Sequence, residues 1–294
     1  MMRDKVRARK RNEEGRALMD AGDLDGAIRA FEEAVALDER LESAWFNLGL
    51  VHKSRRAWEE AARCNRVAAG LTRLDEGEPA WWNLGIAATA LHDWVAAREA
   101  WQRYGIEIHP GDGPVEMDFG PAPIRIEPGK KPEVVWCRRI DPARAVVLNV
   151  PFPQSKHRCG DIILHDGVPN GERMVNGRSL AVFDEIERWE ASPTPTLNAE
   201  VVCSNESDSH ALTSLFHRSH LTAEDWNLKV SMLCEACSTG RPHAPLEVHD
   251  APDTWTTNRT FGIAAELKPA GSLLEEWQKA SPSTRLVRSL EVAL

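Results

Sequence analysis

The chain has 294 residues, 42% of them hydrophobic and 28% charged, which allows two or three folded domains with buried cores and excludes an intrinsically disordered chain. Its formal net charge of −9 repels nucleic acid and anionic membranes at long range unless a local basic patch overrides it. No run approaches the roughly 20 consecutive apolar residues of a bilayer span, and the basic N-terminus lacks the apolar core of a secretion signal. A cytoplasmic location is therefore expected, with the six cysteines as thiols or metal ligands.

Arg3, Lys5, Arg7, Arg9, Lys10 and Arg11 crowd the start of the chain and read as a solvated face of a first helix. Self-similarity follows at once. Gly15, Gly49 and Gly85 stand 34 and then 36 residues apart. Trp45 and Trp81 lie four residues before their glycines, and Ala27, Ala61 and Ala97 lie twelve after. Large residues follow at Phe31 and Trp101, with Asn65 at the equivalent place in the middle repeat. In the turn Ala21–Asp25, Gly22 tolerates a left-handed backbone and Asp23 is suited to cap the next helix. This pattern resembles the tetratricopeptide repeat (TPR) family, whose signature is Trp-x2-Leu-Gly-x2-Tyr followed by Ala, an aromatic and Ala. The resemblance covers about residues 8–109 and implies a three-repeat helical solenoid. Repeat one departs from it, with Arg11 at the Trp position, as a polar solenoid end requires.

The resemblance also implies that the first helix of each repeat lines a concave groove. By position the lining residues are Arg9, Asn12, Arg16 and Met19, then Phe46, Leu50 and Lys53, then Trp82, Ile86 and Thr89. The basic end suits a carboxylate, and the apolar end suits a hydrophobic contact. Leu50 stands where the chaperone-tail-binding members of the family need a polar donor, so that specificity matches poorly. The expected occupant is a protein or peptide segment, either foreign or the chain's own C-terminal region.

Helical periodicity stops after Tyr104, and His109–Pro114 is a breaker cluster that marks a first boundary. Short extended runs follow at 124–126, 134–140, 145–150, 161–165 and 179–186. Turns are expected at Asp141–Arg144, Asn170–Gly171 and Asn176–Gly177. A half-open barrel of the SH3 or OB kind is the natural expectation.

From Pro195 onward a strand (197–203), a helix (207–219) and a second strand (226–234) are expected, and the order recurs over 260–267, 270–280 and 285–294. An offset of 61 residues superposes Val202 on Ile263, Leu212 on Leu273 and Phe216 on Trp277. Two such units suggest a ferredoxin-like sandwich. The expected organisation is thus multidomain, α followed by α+β. TPR repeats occupy 1–109, a small β-rich barrel-like domain 110–192, and a ferredoxin-like domain 193–294 with an inserted Cys/His loop at 234–250.

That loop has the spacing C-x2-C-x5-H-x5-H, through Cys234, Cys237, His243 and His249, which suits one tetrahedral zinc. It is similar to a zinc knuckle with each later gap one residue longer. A thioredoxin-like role for the two cysteines is disfavoured, because they follow a strand and flank Glu235. A second grouping, His157, Cys159, Asp161 and His165, alternates along one expected strand and reads mainly as a polar face. No phosphate-binding glycine loop, nucleophile elbow or His-Glu-x-x-His helix is present. The leading reading is a non-catalytic interaction scaffold or adaptor with a zinc-stabilised C-terminal module. A nucleic-acid-associated factor is the alternative, weakened by the acidic excess. A thiol- or metal-dependent enzyme stands third.

Overall fold

The computed structural model describes residues 2–72, 78–127, 132–175, 178–231 and 255–294. The chain divides into two compact units, Met1–Met117 and Asp118–Leu294. Among the described residues, no helix is long and apolar enough to cross a membrane.

The first unit is three helix pairs: α1 (Met2–Asp20) with α2 (Leu24–Leu37), α3 (Glu42–Ser54) with α4 (Trp58–Leu71), and α5 (Pro79–Ala90) with α6 (Trp94–Tyr104). The turn inside each pair is built the same way. Gly22, Arg56 and His92 each adopt a left-handed backbone, with φ of 82°, 58° and 59°. The next amide reaches back to the carbonyl of Leu18, His52 or Ala88. Asp23 and Asp93 then cap α2 and α6 by accepting from Gly26 and Ala96. The middle turn has Ala57 at that place and no side-chain cap.

Each repeat glycine meets the residue sixteen positions later on the second helix of its own pair. A Cβ on Gly15 would stand 2.5 Å from the Phe31 ring, and one on Gly85 would stand 2.5 Å from the Trp101 ring. The aromatic therefore fills the space within its own repeat. Trp45 does bridge repeats, packing beside Ala34 and Val35 of α2, Ala68 and Ala69 of α4, and Ala80 of α5. The boundary falls later than residue 109, because Arg98 on α6 holds the linker. Its guanidinium donates to the carbonyls of His109, Gly113 and Pro114, so the breaker segment belongs with the repeats.

The second unit contains a closed five-stranded barrel: β1 (Pro121–Ile126), β2 (Glu133–Arg139), β3 (Arg144–Val147), β4 (Ile162–Val175) and β5 (Arg178–Glu190). The strands follow one another round the barrel in chain order, a meander and not the Greek key of an OB fold. Ile124, Ile126, Val135, Cys137, Ala145, Val147 and Ile163 form its core. Asp141 builds the β2–β3 turn, accepting from the amides of Ala143 and Arg144 and from the Arg144 guanidinium. Asn170–Gly171 is not a hairpin end. It sits inside β4, where the register with β5 shifts between Pro169 and Glu172.

The remaining strands are β6 (Thr196–Cys203), β7 (Thr222–Asp225), β8 (Asn258–Ala264) and β9 (Arg285–Val292), in the fully antiparallel order β7–β8–β6–β9. Helix α7 (Glu206–Arg218) joins β6 to β7, and α9 (Leu267–Ala280) joins β8 to β9. Leu212, Phe216, Leu274 and Trp277 from these helices bury the sheet face made by Leu197, Ala199, Val201, Phe261 and Ile263. On the strands the internal correspondence is 62 residues and not 61, since Val201, not Val202, matches Ile263 on the core face, while the buried helix aromatics Phe216 and Trp277 keep the offset of 61. The second strand also differs from expectation. It ends at Asp225, and Trp226–Ser231 forms a short helix α8. Asp225 accepts from the amides of Asn227 and Leu228, an N-cap that turns the chain into a helix where apolar alternation had suggested continued strand.

Barrel and sheet, expected as separate domains at 110–192 and 193–294, form one compact unit. Trp226 is the hinge pin. Its indole Nε1 donates to Val150 of the barrel at 3.1 Å, and its ring packs on Val150, Phe152 and Ala264. Gly262 makes room for it, since a Cβ there would stand 2.3 Å from the indole.

The glycine–aromatic contact gives a direct expectation. Gly85→Ala should destabilise the repeats by about 1–3 kcal/mol through overpacking, read as faster hydrogen exchange across α5 and α6. Gly113→Ala, with open space around its Cβ, should leave exchange unchanged.

Candidate functional site

The groove residues divide by depth. Arg9 and Arg16 lie seven residues, two turns, apart on α1 and are exposed. Among the described residues neither enters an ion pair, whereas Arg7 pairs with Asp4, Lys10 with Glu14, and Arg11 with Glu14 and Glu33. Half of the basic cluster is thus neutralised by its own helix and by α2, while Arg3, Lys5 and Arg9, with Arg16 further along, form no ion pair among the described residues. Phe46, Leu50 and Met19 are half-buried. Trp82, also half-buried, packs edge-to-face on Trp101 and Tyr104 with centroids 5.1 and 5.0 Å apart. Its Nε1 has no hydrogen-bond partner among the described residues.

Four expected lining residues are instead interior. Ile86 has no exposed surface and Thr89 has 1%, while Asn12 and Lys53 retain 8% each. Of the three polar ones, Asn12 and Lys53 have internal partners on the neighbouring first helix, whereas Thr89 Oγ1 has none among the described residues. Asn47 donates to Asn12 Oδ1 at 2.9 Å, and Lys53 donates to Asn83 Oδ1 at 2.8 Å. These bonds tie α1 to α3 and α3 to α5, satisfying polar groups that burial would otherwise penalise. Asn47 and Asn83 share one repeat position, two residues before the glycine. That recurrence was visible in the sequence but carried no assignment.

Cys234, Cys237, His243 and His249 lie outside the described residues. The second grouping does not converge. His157 precedes β4 and bonds Glu185 through Nε2 at 2.7 Å and the Ser155 carbonyl through Nδ1. Asp161 accepts from the amides of Arg158 and Ser192. His165 bonds the Asp166 carbonyl, and burial holds its pKa below the ordinary histidine value. Cys159 reaches the Leu148 carbonyl at 3.4 Å. Four side chains find four separate partners, so the alternation is a built polar interior and not a ligand set. A further cleft of about 330 Å³ lies between the barrel and α7, lined among others by Trp136, Arg173, His210 and Glu224, with the Arg173 guanidinium 5.2 Å over the Trp136 ring.

Residues 15–54, from the end of α1 through α2 and α3, match the family model described as TPR repeat. Solved structures similar to the chain include the CopN–Scc3 complex, at 21% identity over 33% of this chain and 56% of that one, with a TM-score of 0.31. They also include the second TPR of Spaghetti (RPAP3) bound to HSP90 peptide SRMEEVD, at 20% identity over 35% and 93%, with a TM-score of 0.32. The TPR protein YrrB, with an unusual peptide-binding site, matches at 20% identity over 32% and 47%, with a TM-score of 0.30. The chain thus spans just over half the length of the first of these. No curated protein matches it.

The His157–Glu185 pair sets a pH dependence. Burial alone would lower the imidazole pKa, but the Glu185 hydrogen bond and charge, joined by the Ser155 carbonyl and the Asp161 charge, outweigh it and raise the value above 6.5. The pair's stabilisation is then fully present below pH 6.5 and fades as pH rises through the folded-state value. The thermal midpoint should fall over that interval, and Glu185→Gln should flatten the slope.

Proposed function

We propose that the protein is a non-catalytic adaptor whose tetratricopeptide groove holds an extended segment of another protein. An acidic group of that segment sits at the first repeat, and its apolar side chains sit along the second and third. The observation that carries the reading is the pair Arg9 and Arg16, exposed, without ion pairs among the described residues and two turns apart on α1 at the positions assigned to the groove, in the same array as half-buried Phe46, Leu50 and Trp82. A guanidinium offers a planar fork to a carboxylate, and the large side chains supply the apolar area that gives such contacts their affinity. Asn12, Lys53 and Ile86 serve the array from inside, holding successive first helices together.

In this reading the second unit is a platform. Its sheet order and two crossing helices support a ferredoxin-like sandwich docked on a small barrel. The spacing of Cys234, Cys237, His243 and His249 supports a structural zinc beside it. A cytoplasmic setting suits the unpaired thiols.

Peptide display against the full chain tests the groove. Selected segments should carry Asp or Glu beside large apolar residues. The Arg9→Glu/Arg16→Glu variant should bind them about tenfold or more weakly, the loss of charge-assisted bonds, with little remaining salt dependence. Phe46→Ser should weaken binding equally at low and high salt. An unchanged peptide set in the charge-reversed protein would refute the assignment.

A further inference from the structure

One cluster of side chains has no part in the groove. His52 lies in the last turn of α3, and Glu60 and Cys64 lie one turn apart on α4. An imidazole nitrogen, a carboxylate oxygen and the Cys64 sulfur all stand within 4.8 Å of one another. Among the described residues this is the one place where three such groups converge. Their burial is graded: Glu60 is exposed, His52 half-buried, and Cys64 forms the floor. Arg63 holds Glu60 through Oε2, which leaves the carboxylate its other oxygen.

The neighbouring repeats act as an internal control. Counted from the repeat glycine, the positions of His52, Glu60 and Cys64 are Leu18, Gly26 and Ala30 in the first repeat and Ala88, Ala96 and Ala100 in the third. There they are packing residues, mostly buried. Tetratricopeptide packing therefore asks for small or apolar side chains at all three places. The middle repeat departs from that requirement at two of the three places and meets it at the third with a cysteine, so that one nitrogen, one oxygen and one sulfur donor meet at one point. A cysteine alone at such a place is a small core residue; the coincidence with a histidine and a glutamate is what packing does not account for.

We propose that His52, Glu60 and Cys64 form a mononuclear divalent-metal site on the second repeat, of the zinc class. Mixed thiolate, imidazole and carboxylate donors suit zinc in preference to magnesium or calcium. Bonds of about 2.0–2.3 Å require ligand separations of about 3.3–3.8 Å, reached by small side-chain rotations. The ion enters from the Glu60 side, where a water completes the tetrahedron. As the metal–sulfur bond forms, the Cys64 thiol proton passes to solvent, and thiolate plus carboxylate balance the double positive charge. Binding would clamp the end of α3 to α4 in the repeat whose turn has no side-chain cap.

The test uses full-length protein, stripped by chelator under reducing conditions and titrated with cobalt(II) and then zinc(II). A Cys234→Ser/Cys237→Ser background separates this site from the C-terminal Cys/His segment. That background should still bind a single equivalent of cobalt, with a near-ultraviolet thiolate-to-metal charge-transfer band that zinc bleaches. Cys64→Ser should abolish the band. Glu60→Gln, on the exposed rim, and His52→Gln should each weaken metal affinity about tenfold or more with helical circular dichroism unchanged. Absence of the band in the double-serine background, or its survival in Cys64→Ser, would overturn the proposal. If Cys64→Ser fails to fold, unaltered cobalt affinity in both Glu60→Gln and His52→Gln would overturn it equally.

Discussion

The close approach of a first-helix glycine to a large side chain on the second helix is the contact on which the repeat unit depends. Phe31 and Trp101 have no exposed surface and lie where a single methyl group on Gly15 or Gly85 would collide with them. That contact sets how near the two helices of a pair can come, and so which residues of the first helix remain outside. The middle pair keeps the glycine but not the aromatic. Gly49 faces the Asn65 amide, whose nitrogen donates to the Ala61 carbonyl while its oxygen has no partner among the described residues. The second repeat thus has a polar group where its neighbours have a ring, a left-handed arginine where the first has glycine, and no cap on α4. It is the repeat that most needs support from outside the family's packing scheme.

Local chemistry was legible in the sequence; depth and distant partners were not. The Gly22 turn and the Asp23 cap involve residues within one or two turns of each other, and the glycines recur at a period of 34 to 36, so pattern alone carried them faithfully. The groove assignment rested on repeat position, which determines the face a residue occupies and not how far it is enclosed. Arg9 and Arg16 stayed at the surface because long charged chains keep their heads in water. Lys53 did not, because Asn83 thirty residues away offered a carbonyl oxygen at bonding distance.

The same distinction explains the second unit. Residues 226–234 read as strand from sequence, yet Asp225 caps a helix there and Trp226 turns toward the barrel. What selects that outcome is Val150, 76 residues upstream, together with the missing side chain of Gly262. Apolar pattern over a short window does not distinguish strand from helix when a tertiary hydrogen bond decides between them. The domain boundaries moved for a related reason: Arg98 recruits the linker carbonyls and Trp226 fuses barrel to sheet, both through side chains that composition does not single out.

The barrel carries a consequence of simple parity. A meander of strands alternates direction, so closing one with an odd number forces the first and last to run the same way. Here the closure spans only Ile124 with Phe183 and Arg125 with Asp184. The ring therefore has one short parallel seam among longer antiparallel joints, latched by the Arg125–Asp184 ion pair and by the Arg125 bond to the Asn170 carbonyl. A closed ring with a single latched joint behaves like a clasp. It leaves no free strand edge, and its shortest joint is held by side chains as well as by backbone.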